Sequence, residues 1–297
     1  MYMTYGQILE YWLLEKKKEI KTSSYMNYES IVRNNITPYL SNLKIQDIEF
    51  KTILNYYKKY ISHKSTSYQK TVFSIILSSL KNYKPQHQII TKFTRQHITR
   101  NTIQYEHSIF DENELNKIIN ICIKDPIKYK LGILIAIYTG MRIGEICALT
   151  YADIDFNQKV FKVRKTLVRI KDNTHTSLVT TTTKTKNSER IIPINNRLFR
   201  LLNNHYQESD LYILSNSKIP IDPRVLRRNF KMILNLNNIK PLRFHDLRHS
   251  FANLCLTKGI DFKCLSDLLG HANVTTTLNI YIHANMQHKH DAINKLF

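Results

Sequence analysis

The chain has 297 residues, 42% of them hydrophobic, which is enough to build one large core or two ordinary ones. Lys and Arg outnumber Asp and Glu by 44 to 23, and the net charge of +21 is spread along the chain. This composition excludes a disordered or fibrous protein and favours a polyanionic partner such as nucleic acid. A lysine-rich proteome gives the same charge, so the charge alone assigns no function.

The cysteines indicate a cellular compartment. Cys122, Cys147, Cys255 and Cys264 are spaced singly, without a C-x-x-C pair, as is typical of a reducing cytoplasm. Charges occur too early at the N-terminus for a secretion signal, and no apolar run reaches membrane-spanning length. We therefore expect a cytoplasmic protein without a membrane partner.

Up to about residue 85 the apolar spacing predicts helices. Thr4 can cap the first, the segment 22–24 opens a second that runs towards Pro38, and Ser65 precedes a third. From 84 to 107 the periodicity fades into a polar, basic stretch that is typical of a linker and is expected to contact DNA. We place a helical N-terminal domain at residues 1–95 and the linker at residues 96–108.

A second domain is predicted over residues 109–297. Asp111 and Glu114 have the spacing of a capping box at the start of a helix, and further helices are expected through Tyr138 and again from Arg142. The periodicity changes to two between residues 160 and 194, which predicts three antiparallel strands at 160–170, 177–185 and 189–194. The predicted fold is mainly α with a small antiparallel β-sheet, in two domains.

Two segments of this second domain combine arginine with acidic or imidazole groups. In TGMRIGEICAL, Gly140 ends one helix, and Arg142 begins the next with Glu145 one turn along, so that the arginine could meet an anion. That segment alone also fits an ordinary surface ion pair. In PLRFHDLRHSFA, His245 and Arg248 share a helical face with His249 alongside.

The second of these segments also resembles a metal site of the phosphohydrolase kind, through His245, Asp246 and His249. A metal site needs more ligands, and the sequence has no second carboxylate-rich cluster to supply them. Arg248 on the same face would repel a dication. We therefore disfavour metal binding, and we interpret the HKH run at 288–290 as surface.

A third segment, LLGHANVTTTLNIYIHA, contains His271 and Tyr281. Alone, Tyr281 would be interpreted as a core residue, because its neighbours Leu278 and Ile280 are apolar. Together the three segments supply two guanidiniums, several imidazoles and a hydroxyl nucleophile. These are the groups that phosphoryl transfer needs when no metal takes part.

The order of these residues resembles that of the tyrosine recombinases, the family of phage and conjugative-transposon integrases. The resemblance covers nearly the whole chain, because Thr22, Tyr25, Tyr28 and the PYL run at 38–40 resemble the family's core-binding domain. It implies a C-shaped DNA clamp made of a helical, SAM-like core-binding domain and a catalytic domain with a C-terminal tail helix. The residues that correspond to the family's catalytic set are Arg142, Lys184, His245, Arg248, His271 and Tyr281.

The resemblance also implies a role for each of these residues. Arg142, Arg248 and His271 would hold the scissile phosphate while Tyr281 attacks it, leaving a 3′-phosphotyrosine and later a Holliday junction. His245 would accept the phenol proton, and Glu145 would orient its neighbours. Lys184 would protonate the leaving 5′-oxygen, but Lys186 lies two residues along a predicted strand and has the same facing, so the choice stays open. No cofactor, metal or ATP is implied.

The implied partner is double-stranded DNA with core recombination sites, which would place the protein on the nucleoid. A homotetramer would form on DNA through the tail, where Ile293, Leu296 and Phe297 have helical spacing, and a directionality factor or a host DNA-bending protein could take part. The core-binding segment begins almost at Met1, so we expect either action on core sites alone or a missing arm-binding domain.

The order of residues leaves open integration or excision of a mobile element, chromosome-dimer resolution and DNA inversion. A non-catalytic DNA-binding regulator and a type IB topoisomerase-like enzyme are disfavoured, the first by the complete catalytic set and the second by the core-binding resemblance.

Overall fold

A computed structural model describes residues 3–98, 109–124, 129–171, 176–182 and 189–270. The chain divides into two compact units, one built from the N-terminal residues and the other from most of the remaining chain. Each unit has a hydrophobic core of its own. None of the helices in the described ranges is long and apolar enough to cross a bilayer.

The N-terminal unit is all helical, as predicted, and local capping explains where its helices begin. Thr4 accepts a hydrogen bond from the backbone N–H of Gln7, whose side chain accepts one from the Thr4 N–H in return. Ser65 caps a later helix through the Tyr68 N–H. Short π-helical turns at Val32–Ile36 and Tyr57–Ile61 extend two of the helices. The α-helices are α1 (Tyr5–Glu19), α2 (Thr22–Ile31), α3 (Thr37–Leu40), α4 (Phe50–Tyr56), α5 (Thr66–Ser79) and α6 (Lys84–His97).

Helix α6 corrects the interpretation of residues 84–97 as linker. Ile90 and Phe93 are fully buried on one stripe of this helix, and the Phe93 ring stacks on Phe73 with 5.1 Å between centroids. Ile98, just after the helix, is also buried. These two core residues are surrounded in sequence by polar ones, so the segment has too few apolar residues to show a helical period. Residues 99–108 of the predicted linker lie outside the described residues.

In the C-terminal unit, α8 lies at the centre of the core. It packs against α7, α9, α10, α11 and α12, and it is apolar on every side, with all but one of the residues from Leu131 to Thr139 buried. The predicted capping box is confirmed, because Asp111 and Glu114 exchange backbone hydrogen bonds of 2.8 and 2.9 Å. The α-helices here are α7 (Glu112–Lys124), α8 (Lys130–Thr139), α9 (Ile143–Ala148), α10 (Asn196–His205), α11 (Pro223–Leu236), α12 (Asp246–Thr257) and α13 (Phe262–Leu269).

The strands form two small sheets. An antiparallel sheet has the order β1 (Ile154–Asp155), β2 (Val160–Val163) and β5 (Arg190–Pro193), and β3 (Lys165–Lys171) pairs with β4 (Thr176–Thr182). The prediction of a single strand over 160–170 is wrong, because the chain leaves the first sheet at Arg164. Phe161 and Val163 before the break and Leu167 after it are all odd-numbered, and all three side chains are buried. The strand changes its hydrogen-bonding partner at the break, but the same alternate side chains remain buried. An alternation of apolar and polar residues therefore cannot show where the break lies.

Gly140 ends α8 in a conformation that demands glycine. Its φ is +63°, and a Cβ there would lie 2.4 Å from the Phe251 ring and 2.9 Å from Leu269. Gly259 has φ +83° but open space around its missing Cβ. We expect Gly259→Ala to lose about 1–2 kcal/mol of unfolding free energy through backbone strain alone, and Gly140→Ala to lose about 2–5 kcal/mol because overpacking is added. Urea denaturation measures both, and equal losses would contradict the packing argument.

Candidate active site

Arg142 caps α9, where sequence reasoning placed it. Its Nη1 donates to the Glu145 carboxylate at 2.9 Å, and its backbone N–H donates to the other carboxylate oxygen at 2.9 Å. The arginine side chain is 39% exposed, whereas that of Glu145 is only 3% exposed. The pair is therefore no ordinary surface ion pair, because its acidic member is buried while its guanidinium still reaches solvent.

Glu145 has a second arginine partner, which sequence reasoning missed. Arg190, the first residue of β5, donates through Nη2 and Nη1 to the two carboxylate oxygens at 2.8 and 3.2 Å. Burial by itself would raise the pKa of Glu145, but the hydrogen bonds and charges of Arg190 and Arg142 hold it below the ordinary value. The available signal was Glu145 itself: a carboxylate on a helix that packs against the core needs an opposite charge, which predicts a further cation nearby.

Arg248 lies in the first turn of α12 and is buried, with 4% exposure. Its two terminal nitrogens donate to the carbonyl oxygens of Gly140 at 2.9 Å and Leu269 at 2.8 Å. One guanidinium thus joins the end of α8 to the end of α13. Because Arg142 follows Gly140 by two residues, Arg248 and Arg142 are brought to the same place from distant parts of the sequence.

The C-terminal end of α13 is where three arginines meet. Arg190 Nε donates to the carbonyl of Leu268 at 2.7 Å, Arg248 to that of Leu269, and Arg142 Nη2 to that of Gly270 at 3.4 Å. The last carbonyls of a helix lack partners within the helix and form the negative end of its dipole, so guanidiniums stabilise them. The arrangement concentrates positive charge at the last turn of α13 and at Gly270.

His245 lies at the start of α12 as an exposed residue, and its ring packs edge-to-face on that of His249 with 4.9 Å between centroids. The pKa of His245 is lowered, first by desolvation and then by the charges of Arg248 and Arg142, while Asp246 opposes the shift. Near neutral pH the imidazole is therefore neutral and can accept a proton. His245 precedes α12 directly and Arg248 lies three residues on, so the histidine stands one turn from an arginine of this site.

The alternative metal site finds no support in this geometry. The Asp246 carboxylate accepts hydrogen bonds from the Arg243 backbone N–H at 2.7 Å and from its guanidinium at 3.1 Å, so an arginine takes the place that a cation would need. Across the described ranges no three His, Cys, Asp or Glu side chains are grouped to hold a metal ion.

The structure thus brings Arg142, His245 and Arg248 together. The remaining predicted residues, Lys184, His271 and Tyr281, lie outside the described residues, as do the alternative Lys186 and the C-terminal tail.

Comparison with known proteins assigns the family. Residues 108–288 match the model of the phage integrase family, and residues 4–61 match that of the phage integrase N-terminal SAM-like domain. A XerC-like tyrosine recombinase of Caldanaerobacter subterraneus subsp. tengcongensis is 28% identical, covering 99% of this chain and 83% of its own. The ICEBs1 integrase of Bacillus subtilis is 27% identical with the same coverage.

A solved structure of the Tn1549 transposon integrase, in complex with a circular intermediate DNA, matches with a TM-score of 0.81. The alignment covers 99% of this chain and all of that one at 18% identity, so it supports the fold. The predicted fold class, mainly α with small antiparallel sheets, is confirmed. With its family model matching more than half of the sequence, the chain belongs to the phage integrase family, the tyrosine-type site-specific DNA recombinases.

Proposed function

We propose that this recombinase integrates and excises a mobile element, cutting each DNA strand through a 3′-phosphotyrosine at Tyr281 and exchanging strands through a Holliday junction. The observation that carries the proposal is the meeting of Arg142 and Arg248 at the end of α13, with His245 three residues before Arg248 at the start of α12. Two guanidiniums there can hold a phosphate's non-bridging oxygens, and a neutral imidazole can accept the proton of the attacking phenol. The name of the ICEBs1 integrase supports the mobile-element task.

In the proposed reaction each group has one task. Arg142 and Arg248 neutralise the pentacoordinate transition state, and His271 adds a hydrogen bond to the same oxygens. Tyr281 attacks in line while Lys184 protonates the leaving 5′-oxygen, with Lys186 as the alternative donor. The phosphotyrosine conserves the bond energy, so religation needs no ATP.

The proposed partner is duplex DNA carrying core sites. We assign residues 1–95 to core binding, 96–108 to the linker and 109–297 to catalysis, with both domains on the same duplex and most contacts to phosphates. The tail with Ile293, Leu296 and Phe297 would dock on a neighbouring protomer in a tetramer. We also propose that a directionality factor or a DNA-bending host protein takes part in the reaction.

A second candidate function is chromosome-dimer resolution, because the XerC-like relative and the ICEBs1 integrase match the same share of this chain. The substrate separates the two tasks. A mobile-element recombinase cleaves repeats that flank its own gene, whereas a resolvase cleaves one chromosomal site away from it. DNA inversion would instead require inverted copies of a single site.

A nicked suicide substrate carrying the repeats that flank the gene tests the proposal. We expect a covalent adduct that resists SDS and forms in EDTA without ATP, and peptide mapping should place the DNA on Tyr281. Absence of an adduct with every flanking repeat, together with cleavage of a distant chromosomal site, would favour the resolvase. Loss of activity on chelation would revive the metal site at His245 and Asp246.

The lowered pKa of His245 predicts the pH dependence of cleavage. At subsaturating DNA the rate reports the free enzyme, and it should fall only when pH drops through a value below the ordinary histidine pKa of about 6.5, because protonation removes the proton acceptor. The initial rate of adduct formation, measured between about pH 5 and 8, gives this acidic limb of the pH–rate profile. His245→Ala should remove the limb, and a midpoint above the ordinary value would contradict the assignment.

A further inference from the structure

The end of α13 is held by an arginine that the proposed chemistry does not use. Arg190 is buried, with 5% side-chain exposure, and one guanidinium binds both oxygens of Glu145 and the carbonyl of Leu268. It therefore links β5 to α9 and to the last turn of α13. Such a bidentate contact fixes orientation as well as charge.

Glu145 transmits this contact to Arg142. The carboxylate is buried, so it needs an opposite charge close by. Because Arg190, itself buried, supplies that charge, Arg142 is not the sole counterion and its side chain stays 39% exposed. The other contact of Arg142, to Gly270, lies two residues from the Leu268 carbonyl that Arg190 holds.

We propose that Arg190 is a positioning residue for Arg142. It fixes Glu145 and the end of α13 so that the Arg142 guanidinium faces outward to receive the scissile phosphate. Without Arg190, Glu145 draws Arg142 inward as its only strong counterion, and the phosphate loses a preorganised donor. The inference rests on the proposed function, because it takes Arg142 to be a phosphate ligand.

The first test needs no DNA. Phenylglyoxal modifies accessible arginines, and mass spectrometry gives the rate at Arg142 in the full chain. We expect Arg190→Gln to slow this modification at least threefold, and Arg190→Gln/Glu145→Gln to restore it, because no carboxylate then remains to draw Arg142 inward. Recovery in the double variant also separates the effect from misfolding. An unchanged or faster rate in Arg190→Gln would overturn the proposal.

The second test uses suicide substrates with either a phosphate or a methylphosphonate at the cleavage position. The methylphosphonate carries a neutral methyl group in place of one charged oxygen, so it needs less help from a guanidinium. We expect Arg190→Gln to slow adduct formation about 10- to 100-fold on phosphate but less than about threefold on methylphosphonate, with partial recovery in Arg190→Lys, which keeps the charge.

The matched control is Lys162→Gln, on strand β2 next to β5. It removes an ion pair with Asp155 of β1 and should change neither rate by more than about twofold. An equal loss on both substrates would assign Arg190 to general stability and overturn the proposal. If the wild-type chain forms no adduct at all, the proposed function fails, and the reactivity of Arg142 towards phenylglyoxal still decides the positioning role.

Discussion

Tyr281→Phe is expected to abolish covalent attachment to DNA, a loss on the order of 10⁴-fold or more, as when other covalent enzymes lose their nucleophile. The substitution keeps the aromatic ring and removes only the hydroxyl. DNA affinity should therefore stay within about twofold, because most of it comes from phosphate contacts elsewhere. Denaturing gels of the suicide-substrate reaction measure attachment, and gel shifts on intact duplex measure binding.

The control for Tyr281→Phe is Tyr206→Phe. Tyr206 is 45% exposed, and its ring packs edge-to-face on Tyr151 and Phe156 at 5.2 and 5.3 Å between centroids. Its variant removes a hydroxyl from a packed, partly exposed ring that the proposed chemistry does not use, so attachment should be unchanged. An adduct that survives Tyr281→Phe would show that another residue is the nucleophile.

Local signals explain what the sequence could predict. Caps at Thr4, Ser65 and Asp111 depend on groups within three residues, so a reader of the sequence can place them. Gly140 and Arg142 are likewise local, as the end of one helix and the start of the next. The fold class and the existence of two domains follow from these signals together with periodicity.

Contacts between distant segments explain what was missed. Arg190 lies 45 residues from Glu145 and 78 from Leu268 along the chain, and no periodic pattern records that they meet. The same holds for Arg248 and Gly140, which are separated by 108 residues. The order of residues typical of the family indicated that Arg142 and Arg248 share a site. Only the three-dimensional structure shows that they meet at the C-terminal end of α13.

Arg248→Ala is expected to impair both folding and cleavage. The buried guanidinium satisfies the carbonyls of Gly140 and Leu269, and each orphaned carbonyl costs about 1–3 kcal/mol, so unfolding free energy should fall by about 2–6 kcal/mol. Losing a charged donor to the transition state should slow adduct formation on the order of 10²- to 10³-fold. Urea denaturation and single-turnover cleavage measure the two effects.

Two control variants separate these effects. Lys263→Ala removes a 76% exposed lysine of α13, paired with the 62% exposed Asp267, and should cost less than about 1 kcal/mol. Arg248→Lys keeps the charge but cannot donate to both carbonyls and a phosphate in the fixed geometry of a guanidinium, so it should regain part of the stability and little of the rate. Cleavage is compared below the unfolding transition of each variant. A folded Arg248→Ala protein that cleaves within tenfold of wild type would assign this arginine to holding α8 and α13 together, and the phosphate would then have to be held by Arg142 and other groups.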